Sequence, residues 1–414
     1  MRKKLPFILI LIIALLFVYR TINQLGFAKV DDKWMLLDES LIQVKTFNFN
    51  FLVAVFSRIN SLQYSPVNTI YYYLVYQVNG YDPYYYHLFS LFIHICNVGL
   101  TYVMVKKILK AFAIVNSDVI AYALALTWAI LPFNVESVVW ISASKVLLYA
   151  FFGHLSFILF IDAYLKPSKS RYILSLIFLL ISGLAKEQAV LYPLMMILFV
   201  YLHQTKEGHP RDFKKLTITI APFVGLVFII GLVTIYVAIF GGGSHHIDRY
   251  PFYQRFILSF YCICFYAINC LVPYNLHYHY PFPVKSGLGL PFTYYIYPIV
   301  VIFAGWQAYS ILKHQKNRNV YYIGLGIFVI HLLLCIQITP LARAAMMADR
   351  YMYIPSVGIL LISLVFINEK LDLSFKKLSK FHIIALVCFS LYIILLSIYS
   401  HTLVDHWKTL QLKT

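Results

Sequence analysis

Apolar stretches, most close to 20 residues long and separated by short polar connections, run along almost the whole chain. A bilayer core about 30 Å thick asks for about 20 apolar residues of a helix, and these stretches do not alternate as barrel strands would. The pattern predicts spans at about 5–25, 84–105, 118–133, 145–164, 172–185, 188–203, 215–240, 292–312, 320–338, 352–368 and 381–400. The expected fold class is all-α: a polytopic membrane protein of about 11 transmembrane helices, with 1–414 as a single membrane-embedded domain.

Cations punctuate these runs. Arg2/Lys3/Lys4, Lys106/Lys107/Lys110, Lys166/Lys169/Arg171, Lys206/Arg211/Lys214/Lys215, Lys313/Lys316/Arg318 and Lys370/Lys376/Lys377/Lys380 form six clusters, alternating with connections that hold fewer. The positive-inside rule places all six on the cytoplasmic side. The apolar stretch 253–272 is long enough to span, but a span there would strand the Lys313 and Lys370 clusters outside. It is therefore expected to be a re-entrant or interfacial helix within an outer loop over 241–291; the alternative is that it spans and one of the short segments near 172–203 does not. The first outer loop is expected over about 26–66, with an amphipathic stretch at 47–59.

Composition agrees with the membrane assignment. The chain is 61% hydrophobic and 12% charged, with mean hydropathy +0.76; soluble domains carry about 25% charged residues. A net charge of +18 does not imply nucleic acid here, because the cations sit in small clusters between apolar runs rather than in one patch. The six cysteines lie within apolar segments and read as small core hydrophobes. The N-terminus reads as an uncleaved signal anchor, since no A-x-A-like site follows the run from Leu5.

The outer loops carry the candidate chemistry. Asp31-Asp32 follows the first span, and a carboxylate there could act as a general base toward an acceptor hydroxyl; an adjacent pair could also hold a divalent cation, or be a solvated acidic loop. His87, Ser90, His94 and Asn97 share one helix face. Such a stripe either lines a polar cavity or bonds helices together. Lys145, Lys186, Arg343 and Arg350 are isolated outer cations, suited to a lipid-linked phosphate or simply to snorkelling. His245-His246 and His277-x-His279 lack a third ligand at metal spacing, so no metal site is expected there. No Walker motif, dinucleotide fingerprint or G-x-S-x-G occurs. From the residues alone, transporter and transferase are both open.

Several stretches in order carry a resemblance. They are Val30-Asp31-Asp32, Tyr64-Ser65-Pro66, Asn79-Gly80-Tyr81-Asp82-Pro83 with Tyr86-His87-Leu88, and Leu131-Pro132-Phe133-Asn134-Val135-Glu136 with Trp140-Ile141-Ser142. Ala185-Lys186-Glu187-Gln188, Tyr250-Pro251-Phe252 with Gln254-Arg255, and Ala348-Asp349-Arg350-Tyr351-Met352-Tyr353 complete the set. Together they resemble the membrane half of the transmembrane-and-tetratricopeptide O-mannosyltransferases and their bacterial relatives, of the C-type glycosyltransferase superfamily, over about 27–409. The resemblance implies a C-type fold in a bacterial inner membrane and an outward-facing site. There a sugar on polyprenyl phosphate would be passed to a protein or glycan acceptor, with no nucleic-acid partner. It implies Asp31-Asp32 as the catalytic acids, Asp31 being the base. Glu136, Lys186 and Arg350 would lie near the carrier phosphate; the residue reading adds Arg343, Lys145, His87 and His94 as candidates for carrier or substrate binding. Relatives often have His at the positions of Leu131 and Asn134, and Arg-Lys-Asp at Ser144-Lys145-Val146. No tetratricopeptide domain is expected within 1–414. A surface-glycan polymerase or ligase shares the implied fold. A transporter or flippase of lipid-linked sugars would be expected to show inverted repeats and broken helices, and the sequence displays neither.

Overall fold

A computed structural model describes residues 5–59, 63–206, 212–240, 250–338, 345–373 and 379–412. Arg2, Lys3, Lys4, Arg211, Lys376 and Lys377 of the cationic clusters lie outside the described residues, as do the 241–243 glycine run, His245, His246 and Arg343. Each apolar run forms helix: α1 (Leu5–Val18), α4 (Pro83–Ala111), α5 (Ser117–Ala129), α6 (Pro132–Val139), α7 (Ser144–Leu165), α8 (Lys169–Ala185), α9 (Tyr192–Lys206) and α10 (Phe213–Phe240). The series continues with α11 (Phe252–Leu271), α12 (Ile296–Leu312), α13 (Arg318–Leu332), α14 (Pro355–Leu371) and α15 (Lys380–Trp407). The first loop adds two short helices, α2 (Phe49–Ser57) and α3 (Pro66–Asn79). A two-stranded antiparallel ribbon, β1 (Tyr280–Pro281) with β2 (Ala345–Met347), joins the long outer loop to the approach to α14.

The protein is thus a multi-helix, membrane-type bundle, in which fewer helices than the expected eleven are by themselves long and apolar enough to span. Among the described residues, seven helical stretches are long and apolar enough to cross a membrane: Phe7–Gln24, Pro83–Ala111, Ile141–Leu165, Phe213–Val237, Phe252–Leu271, Phe292–Leu312 and Lys380–Leu410. Helices α8, α9, α13 and α14, of 15 to 17 residues, reach only about 22–26 Å at 1.5 Å per residue. The stretch expected to be re-entrant, α11, is one continuous helix that meets the same length and apolarity test as the other six.

A second difference lies at 118–133, expected as one span. The chain breaks there into α5 and α6, bent 58° apart, which together make an eighth candidate. Pro132 is the cause. A proline disfavours helical geometry in the residue before it, and Leu131 is extended (φ −65°, ψ 129°). The Trp128 carbonyl, which a Pro132 amide would otherwise meet, accepts from the Leu131 amide at 3.2 Å and from the Asn134 side-chain amide at 2.6 Å.

Helices α4, α5, α7 and α14 form the buried centre, while α10, α12 and α15 present mostly exposed apolar faces. Helices α13 and α14 meet closely at glycines; a Cβ on Gly358 would lie 2.2 Å from the Gly324 carbonyl oxygen. The polar stripe on α4 is wholly buried. His94 Nδ1 lies 2.8 Å from the Tyr353 hydroxyl and Nε2 3.0 Å from the Ala129 carbonyl. Asn97 donates to the Leu147 carbonyl (2.9 Å) and the Tyr353 hydroxyl (3.1 Å), and Ser90 meets the Tyr71 hydroxyl at 3.2 Å. This geometry is a bonded seam between helices, with His94 at its centre rather than on a cavity wall.

Candidate active site at the first loop and the α6 turn

The first loop begins with a strained turn. The Asp32 amide donates to the Val30 carbonyl at 2.8 Å, which closes a three-residue turn around Asp31, whose φ is +63°. Turns of this hand are rare and costly for a residue with a side chain, although Asp tolerates the left-handed region better than most. Neighbouring groups hold the turn in place. The Trp140 indole donates to the same Val30 carbonyl at 2.9 Å, and the Trp34 indole donates to Asp31 Oδ1 at 2.9 Å. Asp31 is half-buried, and its Oδ2 has no bonding partner among the described residues.

Asp32 has a different environment. It is fully buried; Oδ2 accepts from the Ala28 amide (2.7 Å), while Oδ1 accepts from the Ser142 amide (2.9 Å) and hydroxyl (2.5 Å). Of these three donors, the two from Ser142 tie the loop to the turn after α6, and the Ala28 amide closes the loop on itself. Burial pushes its carboxyl up to about 6, against the Ser142 and Ala28 hydrogen bonds, with the Asp31 charge adding to the rise. The folded state therefore holds this proton more tightly than the unfolded chain. The stabilising share is full below the ordinary carboxyl range and is lost as pH climbs from about 4 to about 6, by roughly 3 kcal/mol. Asp32→Asn should flatten that part of the stability–pH curve. Its amide cannot accept from all three donors, so the variant should also start about 1–3 kcal/mol lower. Thermal unfolding from pH 4 to 7 checks this; parallel curves for the two proteins would contradict it.

Helix α6 carries the second half of the site. Glu136 is buried; its Oε2 accepts from the Arg350 amide at 2.7 Å and its Oε1 pairs with the Arg350 guanidinium. That guanidinium lies over the Trp140 ring, 4.7 Å from its centre, and Trp140 stacks on Trp407 at 5.9 Å. Trp140 therefore connects the two halves, bonding Val30 on one side and carrying Arg350 on the other. Asp349 is buried beside the pair and accepts from the Tyr280 hydroxyl at 2.6 Å. Burial first, then the neighbouring Glu136 carboxylate, hold Asp349 well above the usual carboxylate range, against the pull of Tyr280 and Arg350. A cleft lined by Glu136, Asp349, His277, Tyr278, His406 and Trp407 opens on this group. It encloses about 10 Å³ here, room for a single water.

The other expected residues fall nearby or elsewhere. His87 touches the base of the loop, with Nε2 3.3 Å from the Gly26 carbonyl. Lys145 lies beneath the loop, its ammonium 2.5 Å from Gln63 Oε1 and 3.9 Å from Met35 Sδ. Lys186 is buried in the α8–α9 connection, its Nζ 3.7 Å from Glu187 Oε1. Asp349, Tyr280, His277 and Trp407 were not singled out as site residues from the sequence, though Asp349 adjoins Arg350. Among the described residues no group of three His, Cys, Asp or Glu side chains is arranged to hold a metal ion. No family model matches the chain, and no curated protein matches its sequence.

Proposed function

We propose that the chain is a membrane glycosyltransferase that takes a sugar from a polyprenyl-phosphate carrier and passes it to an acceptor hydroxyl on the outer side of the membrane. The observation that carries the reading is Asp31: a carboxylate in a strained turn, half-exposed, with one oxygen held by Trp34 and the other open. Strain of this kind concentrates at functional sites. In the proposed step the open oxygen takes the acceptor's proton as its oxygen attacks the sugar's anomeric carbon. The bond to the carrier phosphate breaks with inversion, and the phosphate leaves with the bonding electrons. Arg350 and Lys186 would supply counter-charge to it, and Asp32 would position Asp31 by fixing the loop. The resemblance to the C-type O-mannosyltransferases supports this assignment of roles, as does the joining of the acid loop to Glu136 and Arg350 through Trp140. Incubating the purified protein with radiolabelled polyprenyl-phosphate sugars, and following label into protein or glycan acceptors, tests the activity.

The topology belongs to the same proposal: about 11 spans in a bacterial inner membrane, the cationic connections inside and the site outside, with α11 at the outer interface. A reporter fused after Lys285 should then read outside and one after Arg318 inside. The opposite pattern at both positions would overturn the orientation and, with it, an outer location for His277.

One observation favours a second reading, transport of a lipid-linked sugar. Discontinuous helices line the sites of many transporters, and the α5–α6 break places Glu136 about one turn from a 58° bend. Label crossing the membrane without any sugar–acceptor product would favour transport.

A further inference from the structure

At the opposite, cation-rich end of the bundle, the ends of three helices enclose a second pocket. Phe160, Ala163 and Tyr164 of α7 form its inner wall, Ser168 and Lys169 enter from the α7–α8 turn, and Lys215 and Thr219 from the first turns of α10. It encloses about 310 Å³, thirty times the outer cleft and within the range of small-ligand sites. Its wall is aromatic: Phe160 stacks on Tyr164, and both Phe160 and Tyr172 pack edge-on against Phe223. The Tyr172 hydroxyl donates to the Thr219 carbonyl at 2.9 Å and ties α8 to α10 across the pocket.

The charge of this pocket is unbalanced. Lys169 and Lys215 come from different helices, and neither ammonium makes an ion pair or hydrogen bond among the described residues. The nearest acids along the chain are already engaged. Asp162 pairs with Lys107, and Asp212 accepts from the Lys215 amide at 2.8 Å. Two cations over an aromatic floor call for an anion with an apolar continuation. Beyond the pocket, the outer faces of α8 and α10 are exposed and apolar, with Ile173, Leu174, Ile177, Ile218, Val224 and Phe228 all turned outward. A soluble protein would bury such faces, whereas a membrane protein turns them to lipid. The lysines therefore sit where hydrocarbon-facing surface gives way to a polar end, the depth of a phospholipid phosphate.

We propose that this pocket binds the phosphate headgroup of an anionic phospholipid, held by Lys169 and Lys215, with the acyl chains lying along the exposed faces of α8 and α10. Basic pockets between membrane helices recognise headgroups by this chemistry. The test is native mass spectrometry of the full chain released from micelles containing equal phosphatidylglycerol and phosphatidylcholine. Wild-type protein should retain phosphatidylglycerol in preference. Each lysine near an anionic surface is worth about fivefold, so K169Q/K215Q should weaken that retention by roughly 25-fold. K169R/K215R, which keeps both charges, should retain the preference, and K313Q/K316Q, in a cationic cluster away from the pocket, should leave it unchanged. Undiminished retention by K169Q/K215Q would overturn the proposal. So would an equal loss in K313Q/K316Q, which would mean diffuse attraction. Displacement of the lipid by millimolar inorganic phosphate would make the pocket a site for a soluble anion instead.

Discussion

Replacing Asp31 with Asn should lower sugar transfer by about 10²–10⁴-fold, the usual worth of a positioned general base, in a protein that remains folded. The structure explains why folding should survive. Asn is, with Asp, among the few non-glycine residues that visit the left-handed region readily, so it can occupy φ +63°. Its carbonyl oxygen can still accept from the Trp34 indole, as Asp31 Oδ1 does at 2.9 Å. Only the open oxygen changes, becoming an NH₂ that cannot take a proton. Carrier binding should stay near wild type, because Arg350, proposed to meet the phosphate, lies across Trp140 from the loop. Asp32→Asn should behave in the opposite way, losing stability first and activity as a consequence. If Asp31→Asn transfers sugar at near the wild-type rate, Asp31 is not the base. If no product forms even with wild-type protein while labelled carrier crosses the membrane, the transport reading replaces the transferase.

Much of the bundle was legible in the chain, because a bilayer-length apolar run has few ways to satisfy its backbone other than a helix. Every run read as a span forms helix over most of its length, and so does the segment read as re-entrant or interfacial, which becomes α11. What a window of hydropathy cannot see is length lost at the ends or to a break. Pro132 divides one expected span into α5 and α6, and the run expected over 320–338 stays helical only to Leu332, the end of α13. At the site, Asp31-Asp32 reads as one acidic pair, yet the two side chains have different surroundings. The difference depends on Ser142, 110 positions away. Glu136 and Arg350 are separated by 214 positions, and no local spacing pairs them. The ribbon of β1 and β2 is too short to leave a strand pattern, but it brings Tyr280 onto Asp349.

The Glu136–Arg350 pair should show the largest stability effect, and the effect should be asymmetric. Arg350→Met keeps an unbranched apolar stem beside Trp140, but leaves the Glu136 carboxylate, 3% exposed, without its cation. Removing one partner of a buried pair typically costs about 3–5 kcal/mol. Glu136→Gln should cost less. The Arg350 side chain is 12% exposed and can turn toward solvent. In addition, loss of the Glu136 charge removes one of the causes that raise the Asp349 pKa, which leaves Asp349 a better partner for the guanidinium. The double variant Glu136→Gln/Arg350→Met should recover most of the stability lost in Arg350→Met, because no buried anion is then left uncompensated. A double-mutant cycle by thermal or denaturant unfolding measures this as a coupling well above the few tenths of a kcal/mol expected of independent sites. Transfer should respond differently. Under the proposed mechanism Arg350 also faces the leaving phosphate, so the double variant should be stable and still slow. Stability and transfer rescued together would confine Arg350 to holding α6 against the 349–352 turn. A double variant no more stable than Arg350→Met would mean that the arginine acts through Trp140 and the stack on Trp407, rather than through charge.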